Sequence, residues 1–166
     1  MAIIVAFATK FNGVTAMSSL TRCISVIARC SALKRSQAFK SLGITGCQHT
    51  YILNVCRNPG ISQEQLANKI YIHKSNVARQ VALLDKAGFL TRAPSSEDKR
   101  VMLIFPTAKA EAAYPVILQA LKEWHDYLIM DFSKEEQVLL ERMMNHVMDR
   151  ARRYIDEHPE ESIGEI

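Results

Sequence analysis

Between Ser62 and Gly88 apolar residues return every three or four positions: Leu66 and Ile70, then Val77, Val81 and Leu84. That spacing puts each set on one stripe of a helix and predicts two helices packed through those stripes. The first opens on Ser62 with Gln65 three residues on, an S-x-x-Q capping box. Its Ala67 lets a neighbour approach closely. The second runs from Lys74 to Ala87, about 20 Å at about 1.5 Å per residue. Gly88 stands where a left-handed residue closes a helix, while His73 at the N-cap is a poor capping residue. Upstream, a long helix is predicted from about Val14 to Phe39, with Leu20, Ile24, Ile27 and Ser31 near one stripe and Arg22, Arg29, Lys34 and Arg35 outside it. After Gly43, Thr45 and Gln48 make a T-x-x-Q box that sets Cys47 in the first turn of another helix. Tyr51, Ile52 and Val55 form its buried face, and Asn58-Pro59-Gly60 ends it.

From Phe89 the period changes. Phe89 to Ala93 and Val101 to Phe105 are short extended runs, separated by the Pro/Ser-rich, charged stretch PSSEDKR (residues 94–100). This predicts a β-hairpin with a protruding tip. Thr107 opens a long helix toward Met130, and Pro115 within it predicts a kink. Ser133 and Glu136 form a third capping box. The last helix then runs to about Asp156, with Leu140, Met143, Met144, Val147, Ala151 and Tyr154 as a heptad-like seam. The tail from His158 is polar. The pattern therefore predicts a mainly α fold with a small β wing: a winged helix-turn-helix core at 43–106, between a helix at 1–42 and helices at 107–166. The amphipathic terminal helices are too few to cover one another, so a homodimer is expected, with these helices as its dimerisation elements.

Composition narrows the class. The chain has 166 residues, 48% of them apolar, which suits a packed core and argues against disorder. The opening run MAIIVAFA is too short to span a bilayer and lacks a signal peptide's basic flank and cleavage pattern, so a cytoplasmic protein without a membrane partner is expected. Cys23, Cys30, Cys47 and Cys56 show neither C-x-x-C nor zinc-finger spacing; free, mostly buried thiols and no metal are expected. The net charge of +4 conceals a division. Residues 1–56 carry six Lys/Arg and no Asp/Glu, residues 57–106 eight against four, and residues 107–166 seven against thirteen. A basic body with an acidic end suggests a polyanion partner for the former, although solvated helix faces would look the same.

Ser75, Asn76 and Arg79 project opposite the apolar stripe of their helix. A small polar front suits entry into the major groove of DNA. There Asn76 can pair with adenine and Arg79 with guanine, each contact worth about 1–3 kcal/mol of discrimination. Lys74 can neutralise a phosphate, and Ser62 and Gln63 begin a helix whose N-terminal amides favour another. Lys99 and Arg100 stand at the hairpin tip, where an arginine can enter a narrow minor groove. Asp98, two residues earlier, shares a face with Arg100 on an extended chain and can hold its guanidinium.

The stretch GISQEQLANKIYIHKSNVARQVALLDKAGFLTRAPSSEDKRVMLIFPT (residues 60–107) resembles the DNA-binding core of the MarR family of multiple antibiotic resistance regulators. The shared pattern is G-I-S-Q with L-A, then K-S-x-V-x-R, then L-x-x-x-G-F-L-x-R, then D-K-R. GIT with Gln48 and FSKEEQVLLERMM fit the flanks, so the likeness spans roughly residues 20–155. It implies a homodimeric winged helix-turn-helix transcription regulator, a ligand-responsive repressor on a pseudo-palindromic operator in double-stranded DNA. By match, Ser75, Asn76 and Arg79 are recognition positions, Arg100 is the wing arginine and Asp98 its orienting acid. Two positions depart: His73 stands where Asp or Ser is usual, and Phe105-Pro106-Thr107 replaces the usual L-T. The resemblance implies no cofactor but a small aromatic effector between the dimerisation and DNA-binding parts. Candidate lining residues are Phe39, His49, Tyr51 and Trp124, each of which reads more readily as core or interface filler. A thiol-based redox sensor through Cys23, Cys30 or Cys47, a metal sensor through His49, His125 and His146, and a winged helix that docks an acidic protein are the alternatives. With no Gly-rich phosphate loop, nucleophile elbow or framed carboxylate pair, an enzyme is not expected.

Overall fold

The computed structural model describes residues 16–45 and 47–158; Val14, the opening apolar run and the tail beyond His158 lie outside them. Within that span the elements are α1 (Ala16–Ala38), a 3₁₀ turn (Lys40–Leu42), α2 (Gln48–Arg57), β1 (Ile61–Ser62), α3 (Gln63–Ile70), α4 (Lys74–Lys86), β2 (Leu90–Pro94), β3 (Met102–Pro106), α5 (Ala108–Leu128) and α6 (Lys134–Glu157). The mainly α fold with a β wing is the one the pattern predicts. None of the described helices is long and apolar enough to cross a membrane.

Local signals set most boundaries. Both halves of the capping box form at Ser62/Gln65 and at Ser133/Glu136. At the end of α4 the Phe89 N–H donates to Leu84 O and the Gly88 N–H to Asp85 O, both at 2.9 Å. Gly88 takes φ 77°. This is a Schellman closure, with Phe89 and Leu84 both buried beside it. The box at Thr45 differs from expectation. Gln48 Oε1 accepts from Thr45 N at 2.9 Å and from Thr45 Oγ1 at 3.3 Å. The hydroxyl thus donates to the glutamine rather than capping an amide, so α2 starts only at Gln48 and Cys47 is its N-cap. α5 continues unbroken through Pro115.

The sheet is antiparallel in the order β1-β3-β2. Ile61 pairs with Ile104 across one side of β3 and Arg92 with Ile104 across the other. β1, which the sequence pattern did not predict, is two residues long and too short to show a period. The core gathers Ile52 and Val55 of α2, Leu66 of α3, Val77, Val81 and Leu84 of α4, and Phe89, Leu90 and Ile104 of the wing. Burying a side chain of this size stabilises by roughly 1.5–3 kcal/mol. The core extends beyond residues 43–106: Phe39 enters from one side, and Ala110, Ala113 and Ile117 of α5 from the other. A helix that begins in the core must carry its own apolar turns into it. α6 is the opposite case. Gln137 Nε2 ties its first turn to Ile129 O at 3.2 Å and Phe132 O at 3.0 Å, yet none of its 24 residues is buried.

Candidate nucleic-acid interface

The front of α4 follows from its back. Val77, Val81 and Leu84 are each 0% exposed, which fixes the helix's rotation and turns Lys74, Ser75 and Arg79 to solvent, with Asn76 half-buried. His73 proves a working cap: its Nδ1 accepts from the Ser75 N–H at 3.3 Å and lies 2.7 Å from Ser75 Oγ. Its imidazole thus takes the place of the usual carboxylate or hydroxyl. Arg79 Nη2 donates to Asn76 Oδ1 at 2.9 Å. The two side chains expected to read bases are therefore bonded to each other one turn apart, and a bidentate contact by Asn76 requires that bond to open. Lys74 pairs with Glu64 of α3, both ends well exposed, so little free energy holds it back from a phosphate.

Ser62 is buried, and its hydroxyl accepts from the Gln65 N–H at 3.1 Å. What this position offers an anion is the start of α3 and not its own side chain; Gln63, half-buried, is the helix's first residue. Gln48 Nε2 donates to Gln80 Oε1 at 3.3 Å and links the start of α2 to α4. Beneath that link Tyr51 is buried. Its hydroxyl pKa is pushed up to about 12, chiefly by burial, with the Cys47 thiol adding to the shift and Arg79 opposing it.

At the wing tip Asp98 and Arg100 meet, though not on an extended strand. Val101 N bonds back to Asp98 O at 2.9 Å, closing a turn. Asp98 Oδ1 accepts from the Arg100 N–H at 2.9 Å and from Arg100 Nε at 3.2 Å. The backbone N–H first, and the guanidinium second, hold the Asp98 carboxyl below the usual carboxylate range. Arg100 is 92% exposed in its side chain while so oriented, and Lys99 is exposed beside it.

One pair escaped the sequence reading. Arg92 of β2 donates through Nε to Asp85 Oδ2 of α4 at 2.8 Å, with Nη2 at the same distance. It clamps the wing's root to the end of α4. The signal was present as the arginine of the L-x-x-x-G-x-x-x-R pattern, but the partner across the glycine turn was not. Thr107 adds a second clamp, donating to Gly88 O at 2.7 Å and capping α5.

The other candidates are more dispersed. Phe39 and Tyr51 are core residues, and His49, also buried, lies 5.4 Å from Phe39 ring to ring. Trp124 is half-buried, donates to Ser31 Oγ at 2.8 Å and stacks with Tyr127. Contrary to the expectation of buried thiols, Cys23, Cys30 and Cys47 are exposed, because α1 and the start of α2 lie at the surface. Cys56 is half-buried, and burial, then the charge of Glu111, pushes its thiol pKa up, against thiolate reactivity. Among the described residues no three His, Cys, Asp or Glu side chains are grouped to hold a metal; His125 and His146 are exposed on α5 and α6.

The sequence model of the MarR family matches residues 42–101, the span from the 3₁₀ turn to the wing tip. Over that span the chain matches the MarR family. The chain is 28% identical over 137 residues to the uncharacterized HTH-type transcriptional regulator YybA of Bacillus subtilis strain 168, covering 82% of this chain and 91% of that protein. Among solved structures it is similar to MarR at 29% identity and a TM-score of 0.75, covering 83% of this chain and 94% of that one. It shares the fold of a MarR family regulator of Listeria monocytogenes complexed with 26mer DNA, at 24% identity and a TM-score of 0.79, covering 89% and 97%. The winged helix-turn-helix described above is the fold that these regulators share.

Proposed function

We propose that the protein is a MarR-family transcription regulator that acts as a homodimer, binds a near-palindromic operator in double-stranded DNA and represses transcription until a small molecule releases it. The observation that carries the reading is the alignment of two exposed basic elements. The front of α4 presents Lys74, Ser75, Asn76 and Arg79, and the neighbouring wing presents Arg100 already oriented by Asp98. One matches the major groove and the other the adjacent minor groove. The basic balance of residues 1–106 supports the same partner, and so does the DNA held by the Listeria regulator of this fold. In this reading the protein binds and does not catalyse, and it works in the cytoplasm beside its DNA.

The dimer is supported by apolar surface. Leu20, Ile24 and Ile27 of α1, Tyr127 and Leu128 of α5, and Leu139, Met143 and Met144 of α6 are all exposed, more than a soluble monomer ordinarily leaves to water. A second copy covers them and sets two recognition helices about 34 Å apart, one turn of DNA. The effector is read as a small aromatic molecule beside Trp124, the chain's one tryptophan. Phe39 and Tyr51 leave the candidate lining because they fill the core.

Selection from a randomised duplex pool, followed by gel shift, tests the DNA reading. A half-symmetric consensus should emerge, with affinity falling steeply as salt rises. Arg79→Ala should cost about 1–3 kcal/mol and relax one base position. A pool that enriches nothing would end this account. Quenching of Trp124 fluorescence by benzoate, with loss of the shifted band, tests the effector reading; neither change would remove it.

A further inference from the structure

The C-terminal end of α6 returns to the helix-turn-helix. The Arg152 guanidinium lies 5.5 Å from the centre of the Tyr71 ring, within cation–π range. Around this contact Ile155 and Asp156 of α6 face Tyr71, Ile72, His73 and Lys74 across a groove of about 610 Å³. Asp149, one turn back on α6, lies 3.8 Å from the same guanidinium. Arg152 is thus held between a carboxylate of its own helix and an aromatic face on another element.

Tyr71 is an unusual residue for its place. It forms the turn between α3 and α4 with φ 53° and ψ 47°, and it is the non-glycine with positive φ among the described residues. Glycine adopts that conformation without cost, whereas a bulky residue does not. The turn by itself therefore has no use for a tyrosine. The residue is 47% exposed, so the core does not account for it either. What the ring meets is Arg152.

We propose that Arg152 is a positioning residue for DNA binding, its guanidinium bracing Tyr71 from the far end of α6 and so setting the direction in which α4 leaves the turn. This rests on the DNA-binding reading above. Tyr71 is two residues ahead of His73, the cap of α4, and three ahead of Lys74. The brace therefore acts on the end of the helix that carries Lys74, Ser75 and Asn76. The rest of α6 presents the apolar face that a second copy covers, so the same helix connects the dimer to the recognition helix.

The test uses the full chain and a duplex enriched in the selection above. Arg152→Gln removes the charge and keeps the length; Tyr71→Asn removes the ring but tolerates the left-handed turn. Each should weaken binding about two- to five-fold, the range of an exposed cation–π contact. The double variant should lose no more than the larger single loss, because both remove one contact. Tyr71→Phe should bind like the unaltered protein, and sedimentation should show the same oligomer throughout. Thermal melting checks that the Tyr71 variants fold, while Arg152→Gln sits on an exposed face and tests the brace alone. Unaltered affinity in Arg152→Gln, or additive losses, would overturn the inference. So would a salt slope reduced by about one in Arg152→Gln alone, since Arg152 would then be touching a phosphate itself. Failure of the unaltered protein to bind any duplex would defeat the functional reading; binding that ignores Arg152 would defeat only the brace.

Discussion

Asp98 shows how much one side chain can organise. Its carboxylate accepts both the backbone N–H and the guanidinium of Arg100, which stiffens an otherwise solvated loop and points the arginine outward. Because the folded pKa is depressed, the contact is intact at neutral pH. It is lost only as pH falls through that lowered pKa, below the ordinary Asp value of about 4. The amide resonance of Arg100 should therefore titrate at unusually low pH, and Asp98→Asn should abolish that titration. The same variant should weaken DNA binding less than Arg100→Ala does, since it loosens the arginine without removing it. An Arg100 resonance that titrates at the ordinary Asp value would contradict the assignment. The Asn76–Arg79 bond works differently. It keeps both side chains on the front of α4, and in the proposed function it opens before both meet bases.

Elements are aimed at one another by a few clamps. The Asp85–Arg92 pair joins the end of α4 to the root of the wing, with each side chain about one-third exposed (33% and 36%). A pair so placed contributes at most about 1 kcal/mol to stability, but its geometric effect reaches the wing tip. Arg92→Gln should lower DNA affinity while leaving the salt slope nearly unchanged, because Arg92 aims the wing and does not touch phosphate. Arg100→Ala should lower affinity and slope together. Gel shifts over a salt series separate the two, and equal slopes for both variants would refute the distinction. The pair was illegible in the sequence because six residues, a left-handed glycine among them, separate its members. Periodicity reports which face a residue occupies, not which residue it meets across a turn.

At the scale of the molecule α6 is decisive. A helix of 24 residues with no buried side chain is not held by its own chain's core. Leu140→Glu with Met144→Glu should remove on the order of 3 kcal/mol or more from association, given roughly 1.5–3 kcal/mol for each buried side chain. Sedimentation should then show monomers, and operator affinity should fall with half the site unoccupied. A variant that stays dimeric would show that this face is not the interface. Sequence alone determined whatever depends on residues within a turn or two of each other. Those features are the boxes at Ser62 and Ser133, the glycine closure at Gly88, the buried stripe Val77-Val81-Leu84 and the charged tip of the wing. Each rests on backbone hydrogen bonds or side-chain periodicity that the local chain satisfies by itself. Tertiary structure decided the rest: the two-residue strand β1, which exists only because β3 lies beside it; the late start of α2; the clamp from Arg92 to Asp85; and the return of α6 to Tyr71. Those contacts join chain segments brought together only when the core forms, and the energies that fix them belong to no single stretch of sequence.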